Sequence, residues 1–231
     1  MTSTTVTNRL LLSLSKADRR LLATGLERVD LELRRPIEEA NTPIKHVYFP
    51  DHGIISVVVK SAGLEIEAGL VGREGMSGTA VVLGDDRSPN DAYVQIAGGA
   101  HRITTRRLRA ALEASKTMRQ IMQRYVHVFM VQVAQTAFAN GKANIEDRLA
   151  RWLLMAHDRQ DDDELQLTHE FLSVMLGVRR SGVTEALQEL ESKGLVRASR
   201  GVIRVVDRRK LLKAAGSAYG VPEAEYKRLL S

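Results

Sequence analysis

The sequence lacks cysteine altogether, and no long hydrophobic run occurs in its 231 residues. Without cysteine the chain can form no disulfide bond, no thiolate zinc site and no cysteine-ligated iron–sulfur cluster, and a reducing compartment suits it. The apolar run at residues 10–14 is too short for a signal peptide or a membrane span. These absences predict a cytoplasmic protein that does not contact a membrane.

The motifs of two common kinds of enzyme site are missing as well. The sequence has no H-x-H pair and no H-E-x-x-H motif, and a cupin-like metalloenzyme needs clustered ligands of this type. Residues 72–78 (GREGMSG) lack both the G-x-G-x-x-G pattern and the G-K-[ST] ending of phosphate-binding loops, so we interpret them as a turn. We therefore predict a protein that is not an enzyme and has no metal or cofactor. A β-barrel metalloenzyme and a protein-interaction scaffold stay as alternatives.

Positive charge is concentrated in the C-terminal third. The formal net charge of the chain is +6, and residues 168–213 hold ten basic and five acidic side chains. A basic surface of this kind favours a polyanionic partner such as nucleic acid. A solvated basic surface would have the same composition, so the order of the residues has to decide between the two.

The region between residues 29 and 103 has the texture of a β domain. Short β-branched runs, among them HVYF, GIISVVV, TAVVLG, AYVQIAG and HRIT, alternate with turn residues at 51–53 and 98–99. Many short strands at this spacing predict an all-β roll, of the double-stranded β-helix or jelly-roll kind. Segments with helical spacing lie before and after this region, so the predicted fold class is α+β. The predicted helices cover residues 8–28, 104–114, 117–140 (ended by Asn140-Gly141) and 144–158, and residues 161–164 are predicted as a solvated connector.

The long helix at 117–140 has a coiled-coil spacing. One stripe recurs at intervals of 4, 3, 4, 3 and 4 residues, and a second stripe (Ile121, Val128, Val131, Phe138) lies on another face. A helix that is apolar on two faces must bury both, which favours packing of one stripe on the β domain and of the other on a second copy of the chain. A single wide stripe packed inside one chain is the alternative. The predicted dimer interface consists of Met118, Met122, Tyr125, Phe129, Gln132 and Thr136.

Residues 168–188 have the pattern of a helix–turn–helix. Thr168 can cap the first helix, Gly177 can supply the positive φ of a tight turn, and the apolar residues 183, 186, 187 and 190 share one face of the second helix. The opposite face offers side chains that bind bases or phosphates, and LVRASRGVIRVV predicts a hairpin wing turning at Arg200-Gly201. A helical hairpin without nucleic acid is the alternative. The predicted DNA-binding residues are Thr168, Arg179, Arg180, Ser181, Thr184, Glu185, Gln188 and Arg200.

The order of β-roll, long helix and winged helix–turn–helix resembles the Crp/Fnr superfamily of bacterial transcription regulators. The resemblance is carried by HVYFPDHGIISVV at residues 46–58, by DRLARWLL at 147–154 and by LTHEFLSVMLGVRRSGVTEALQELESKGLV at 167–196. It implies a homodimer on a palindromic site of double-stranded DNA, with reading helices ~34 Å apart, and RNA polymerase as a further partner. The domains expected from it are a β-roll sensor domain (1–115), a dimerisation helix (116–141), a winged helix–turn–helix domain (142–215) and a tail (216–231).

The sequence departs from cyclic-AMP-binding members of this superfamily in the effector pocket. Those members carry a glycine–glutamate pair for the ribose and an arginine–serine pair for the cyclic phosphate. In residues 74–95 (EGMSGTAVVLGDDRSPNDAYVQ) Gly78 matches the glycine, Thr79 replaces the glutamate, and Asn90 and Asp91 replace the arginine and serine. Because Asp91 would repel a phosphate, cyclic AMP is not expected to bind, although Arg87 could serve as an arginine shifted by three residues. The effector stays unknown, and the resemblance leaves haem open through His46, His52, His101 or His127.

Overall fold

The computed structural model of this chain describes residues 6–230, which form two compact units. The first unit comprises residues 6–57, 70–130 and 223–230. The second comprises residues 58–69 and 131–222. No helix in the described part of the chain is long and apolar enough to cross a membrane.

The first unit is built on an antiparallel sheet with the strand order β1-β5-β3-β4, in which β2 also pairs with β5. In its register Glu27 lies opposite Arg102, and Pro36 lies opposite Tyr93. The outer parts of β3 and β4, residues 58–69, belong to the second unit. The strands are β1 (Glu27–Leu31), β2 (Pro36–Glu38), β3 (His46–Ser61), β4 (Leu64–Val71) and β5 (Asp91–Thr104).

Helices complete the core of the first unit. Leu10, Leu22, Phe49 and Leu108 are fully buried in one cluster, which joins the N-terminal helices to the sheet and to the helices that follow it. The helices are α1 (Arg9–Ser13), α2 (Lys16–Ala23), α3 (Thr79–Val82), α4 (Thr105–Ala114) and α5 (Lys116–Lys142), whose second half belongs to the second unit.

The second unit combines helices with a small antiparallel sheet of order β6-β8-β7. The strands are β6 (Glu164–Gln166), β7 (Val196–Ser199) and β8 (Val202–Val205), and the helices are α6 (Ile145–His157), α7 (His169–Leu176), α8 (Arg180–Ser192) and α9 (Arg208–Ala215). A short 3-10 turn, Gly216–Ala218, follows, and α10 (Val221–Leu230) ends the described chain. The predicted α+β class, with a β domain before a helix–turn–helix, is confirmed.

Two predicted turns are strand interior instead. β3 runs through residues 51–53 and β5 runs through residues 98–99 without interruption. Gly53 has a φ of 88°, and a Cβ on it would lie 2.8 Å from the carbonyl oxygen of Ile96, while a Cβ on Gly98 would collide with the backbone of His52. The glycines therefore mark a close approach of two strands, which is the other common reason for glycine in a strand.

Several predicted helix bounds are wrong as well. The helix predicted at 8–28 is instead two helices, α1 and α2, followed by the start of β1 at Glu27. The chain is extended at Leu14, and Ser15 caps α2 by accepting from the N–H of Asp18 at 3.1 Å. The predicted strand TAVVLG is the helix α3, which begins after Gly78 in the left-handed conformation. Its β-branched residues favour a strand by propensity. In the structure, however, Val81 and Val82 are buried in the core of the first unit, and this packing outweighs the local preference.

Two further expectations at the C-terminal side need correction, and one segment had no predicted structure. Asn140-Gly141 does not end α5, which continues to Lys142, and Asn144 then caps α6 by accepting from the N–H of Asp147 at 2.8 Å. Glu164, predicted as part of a solvated connector, begins the strand β6. The segment after residue 216, which carries no interpretable signal in the sequence, forms the helix α10.

The predicted dimer seam of α5 lies largely inside its own chain. Met118, Met122 and Tyr125 are buried in the core of the first unit, where the hydroxyl of Tyr125 donates to the carbonyl of Met76 at 3.2 Å, and Phe129 packs against that core. In the second unit Gln132 is buried and Thr136 is half-buried. These side chains are therefore covered without a second copy, which fits the alternative of packing inside one chain.

A buried carboxylate joins α2 to the junction between α4 and α5. Asp18 is 3% exposed and accepts hydrogen bonds from the hydroxyls of Ser115 at 2.6 Å, Ser15 at 2.8 Å and Thr117 at 2.9 Å. These bonds, with that of Ser115 as the largest contribution, hold the pKa of Asp18 below its ordinary value. The charged form therefore stabilises the fold.

We expect Asp18→Asn to lower the free energy of unfolding by about 1–3 kcal/mol near neutral pH, because three hydroxyls lose a charged acceptor. The folded-state pKa lies below the unfolded one, so this stabilisation is present above the ordinary pKa of 3.8 and disappears as the pH falls through the folded value. Urea unfolding near neutral pH and below pH 3.8 measures the difference between variant and wild type, with the exposed Asp30→Asn as control. A difference that does not shrink in acid would contradict this account.

Candidate nucleic-acid interface

The turn between α7 and α8 is built as the sequence predicts. The hydroxyl oxygen of Thr168 accepts from the N–H of Phe171 at 3.2 Å and so caps α7. Gly177 follows α7 with a φ of 60°, a conformation that glycine adopts without steric cost. α8 then begins at Arg180, with Arg179 in extended conformation before it. The local residue types therefore set the angle at which α8 leaves the turn.

One side of α8 is fixed in the core of the second unit. Val183, Ala186, Leu187 and Leu190 are at most 7% exposed, which confirms the predicted buried face. The opposite side stays open to solvent because its residues are polar. Of the predicted DNA-binding residues, Arg179, Arg180, Ser181, Glu185 and Gln188 are exposed on this side or at the start of the helix.

Thr184 differs from its neighbours on α8, because it is half-buried and its hydroxyl is already bonded. That hydroxyl donates to the carbonyl of Arg180 at 3.1 Å and lies 3.0 Å from Nδ1 of His169. Since the hydroxyl proton goes to the carbonyl, Nδ1 of His169 is the donor of the second bond. The bond brings the first turn of α7, including the exposed Thr168, beside the outer face of α8. Sequence reasoning missed His169.

The predicted wing is confirmed as the hairpin of β7 and β8. Ser199 lies opposite Val202, and Arg200 and Gly201, which has a φ of 76°, form the turn between them. Arg200 is exposed at the tip. Two features of the wing were not predicted: β6 adds a third strand, and the carboxylate of Glu191 at the end of α8 accepts from the N–H of Ala198 at 2.6 Å. The wing is thereby tied directly to α8.

The ten basic residues between residues 168 and 213 fall into two groups. Four form ion pairs with carboxylates at 2.5 to 3.6 Å: Lys193, Arg204, Arg208 and Lys210. The side chains of the other six are exposed and form no hydrogen bond or ion pair with any other residue in 6–230: Arg179, Arg180, Arg197, Arg200, Arg209 and Lys213. Four of these six lie at the start of α8 or on the wing. Most of the unpaired positive charge between residues 168 and 213 is therefore on that surface.

Two buried side chains, Trp152 and Glu67, and the half-buried Arg148 lie outside the helix–turn–helix and contact it or each other. Arg148 on α6 donates to the carbonyl of Leu176, the last residue of α7, and burial lowers the pKa of its guanidinium. The indole N–H of Trp152 donates to the carboxylate of Glu67 at 2.7 Å, and its ring meets the ring of Phe171 edge-on at 5.6 Å. Nothing in the local sequence links these residues, because they come together only through the fold.

The predicted effector residues lie in the first unit, around α3 and the loop before β5. The N–H of Gly78 donates to the carboxylate of Glu38 at 2.6 Å, and burial raises the pKa of Glu38. Thr79 follows as the first residue of α3. Sequence reasoning missed Glu38, which is a carboxylate close to the position where Thr79 replaces the glutamate of cyclic-AMP binders.

The remaining residues of this group are engaged locally. The carboxylate of Asp91 accepts from the N–H of Ala40 at 2.8 Å, and the N–H of Asn90 donates to the hydroxyl of Ser88 at 3.1 Å. Arg87 is exposed, and its guanidinium lies 3.6 Å from the carboxylate of Asp86. In the described part of the chain, no group of three or more His, Asp or Glu side chains is placed to hold a metal ion.

We expect Thr168→Ala to lower the free energy of unfolding by about 1 kcal/mol, because the N–H of Phe171 loses its acceptor. Thr168→Ser keeps the oxygen and should stay close to wild type. Urea unfolding of the full chain, followed by circular dichroism, compares the two variants. Equal stability of the alanine and serine variants would show that the cap contributes nothing.

Comparison with known proteins connects this geometry to a family. The family described as the Crp-like helix-turn-helix domain matches residues 147–214. A search among curated proteins gives no significant match.

Solved structures share the fold at low sequence identity. A protein described as a transcriptional regulator of the Crp/Fnr family from Eubacterium rectale is 19% identical, with a TM-score of 0.68 over 89% of this chain and 97% of the other. FixK2 from Bradyrhizobium japonicum is 15% identical, with a TM-score of 0.68 over 82% and 96%. A CRP-family transcriptional regulator from Thermus thermophilus is 17% identical, with a TM-score of 0.69 over 83% and 98%. The resemblance is thus confirmed: residues 147–214 form a Crp-like helix-turn-helix domain, and the chain has the fold of Crp/Fnr-type transcription regulators.

Proposed function

We propose that the protein is a sequence-specific DNA-binding transcription regulator that acts as a homodimer on a palindromic site. The observation that carries the proposal is the cluster of exposed, unpaired arginines at the start of α8 and on the wing: Arg179, Arg180, Arg197 and Arg200. Four other basic residues between 168 and 213 are paired with carboxylates, whereas the four arginines of this surface keep their charge for a partner.

The register of the wing supports an anionic partner. Arg197 and Arg204 lie directly opposite each other on β7 and β8, and like charges in such a pair destabilise a sheet. Glu164 on β6 compensates Arg204 at 3.6 Å, while Arg197 has no acidic partner among residues 6–230. A phosphate backbone along the wing would neutralise the remaining charge.

The side chains at the start of α8 suit a major groove. An arginine at the N-terminus of a helix can grip guanine bidentately, and the small Ser181 beside it permits close approach. Glu185 is exposed on the same side, where a carboxylate weakens general attraction to phosphate. Its role in the proposal is therefore specificity, either by accepting from the N4 amino group of cytosine or by orienting one of the arginines.

Selection from a random duplex pool followed by fluorescence anisotropy tests the DNA-binding part of the proposal. We expect Arg180→Ala to weaken binding to the selected site by ~1–3 kcal/mol and to change binding to random DNA much less. Lys210→Ala is the matched control, since it removes the same charge at a residue that is paired with Asp207 at 3.5 Å. The logarithm of wild-type affinity should fall with the logarithm of salt by about 0.9 per phosphate neutralised.

Two results would count against the proposal. Equal affinity of the wild type for selected and random sequences removes the claim of sequence specificity. An equal loss for Arg180→Ala on both kinds of DNA reassigns Arg180 to a phosphate contact.

The homodimer of the proposal uses the outer face of α5 rather than the seam first predicted. On this face Met130 and Phe138 are 62% and 47% exposed, and the small residues Ala134 and Ala137 are exposed between them. Positions 130, 134, 137 and 141 are spaced 4, 3 and 4 residues apart, as at a coiled-coil contact. A second α5 along this stripe would cover apolar surface that the chain itself leaves open.

We expect Ala134→Glu to weaken dimerisation at least about tenfold, because two carboxylates would meet across the two-fold axis. Ala17→Glu makes the same change at an exposed position of α2 and should leave the oligomeric state unchanged. Light scattering after gel filtration measures the mass, and binding to full and half palindromes shows the effect on DNA. A monomeric wild type, or a variant as dimeric as the wild type, would rule out this interface.

The sensor part of the proposal is a β-roll that does not bind cyclic AMP. Thr79 and Asp91 replace residues that hold the nucleotide in cyclic-AMP-binding relatives, and two carboxylates, Glu38 and Asp91, accept backbone N–H groups there instead. Both would oppose a cyclic phosphate. Cytoplasmic location, predicted from what the sequence lacks, and RNA polymerase as a partner, implied by the resemblance, stay predictions.

A further inference from the structure

A cavity of about 410 Å³ lies in the first unit, among the N-terminal helices and the strands β1 and β5, away from the positions that correspond to the cyclic-nucleotide pocket. Its apolar wall is formed by Val6, Leu11, Leu22 and Leu26. Its volume falls in the range of sites for small organic molecules, which are mostly apolar with a few polar groups that fix orientation.

The polar groups that line this cavity are basic. They are Arg19 on α2, Arg28 on β1 and His101 on β5, and no carboxylate is among the described lining residues. Arg19 is half-buried, and its guanidinium forms no hydrogen bond or ion pair with any residue in 6–230. A guanidinium without a protein partner keeps its N–H donors for an anionic ligand.

His101 is held in place from behind. It is 5% exposed, and its Nδ1 lies 2.8 Å from the carboxylate of Asp51. That carboxylate also accepts from the backbone N–H groups of Thr7 at 2.8 Å and Asn8 at 3.0 Å. The carboxylate behind His101 is therefore already satisfied by these contacts. Glu27, on β1 next to the lining residue Arg28, is bound to Arg102 at 3.0 Å.

We propose that this cavity binds a small amphiphilic anion, an apolar carboxylate whose hydrocarbon part contacts Leu11, Leu22 and Leu26 and whose carboxylate pairs with Arg19. Arginine and carboxylate match in geometry as well as in charge, since the guanidinium offers two parallel donors. The apolar wall excludes a fully polar anion such as phosphate, and the guanidinium favours an acid over the uncharged molecule of the same shape.

This ligand would be the signal that the first unit senses. Only its role as a signal rests on the proposed regulator function, since the binding itself does not require DNA. Binding is therefore measured without DNA. If the protein binds the acid but no DNA, the site stands and the regulator function fails. If it binds DNA but not the acid, the regulator function stands and the proposed ligand site fails.

The test is isothermal titration of the full chain with octanoate, and with octanamide as the uncharged probe of similar shape. We expect saturable binding of octanoate at one site per chain, and octanamide at least about tenfold weaker. Arg19→Gln should weaken octanoate by a similar factor and octanamide little. Arg20→Gln, the adjacent exposed arginine outside the lining, is the matched control and should bind as the wild type does.

A second variant tests the cavity itself. Ala23 lines it at the exposed end of α2, so Ala23→Phe adds a ring without removing a buried group and should abolish binding of both probes while circular dichroism stays unchanged. The proposal is overturned if octanoate does not bind the wild type, if octanamide binds equally well, or if Arg19→Gln and Arg20→Gln bind alike.

Discussion

The constraint on which the second unit depends is that α8 must be held from one side only. Its four buried aliphatic residues form the sole apolar attachment that its own sequence provides, and a longer apolar stripe would have buried the polar side as well. Three contacts of the neighbouring elements add to this attachment. Arg148 closes the end of α7, Glu191 ties α8 to the wing, and His169 braces its middle. The orientation of the helix is therefore fixed, and its exposed side presents polar side chains to the solvent.

Local features of this unit could be predicted from the sequence because each is a short-range effect. The cap at Thr168, the left-handed Gly177 and the period of residues 183 to 190 depend only on neighbours within one or two turns. The supporting contacts could not be predicted in the same way. Trp152 and Glu67 are separated by 85 residues, and Arg148 and Leu176 by 28, so their meeting is a property of the fold.

The β domain shows the limit of the same reasoning. Gly53 and Gly98-Gly99 have the composition of turns, and only the pairing of β3 with β5 shows that two backbones meet there. The apolar residues of α5 do have a coiled-coil spacing, but a spacing does not say which surface covers it. Met118, Met122 and Tyr125 are covered by their own chain, whereas Met130 and Phe138 are exposed. The spacing of apolar residues shows which of them share a face of the helix. Only their burial in the structure shows what covers that face.

In the proposed complex of α8 with DNA, the contacts of Thr184 within the protein limit how this residue could read a base. Its hydroxyl proton is used on the carbonyl of Arg180, and its oxygen accepts from His169. The hydrogen-bonding capacity that would distinguish bases by their polar edges is thus largely spent within the protein. What remains for a groove is the γ-methyl group, which favours contact with the 5-methyl of thymine. A residue that looks polar in the sequence would then act on DNA as a hydrophobic probe, so that the helix reads one base by shape and its neighbours by charge.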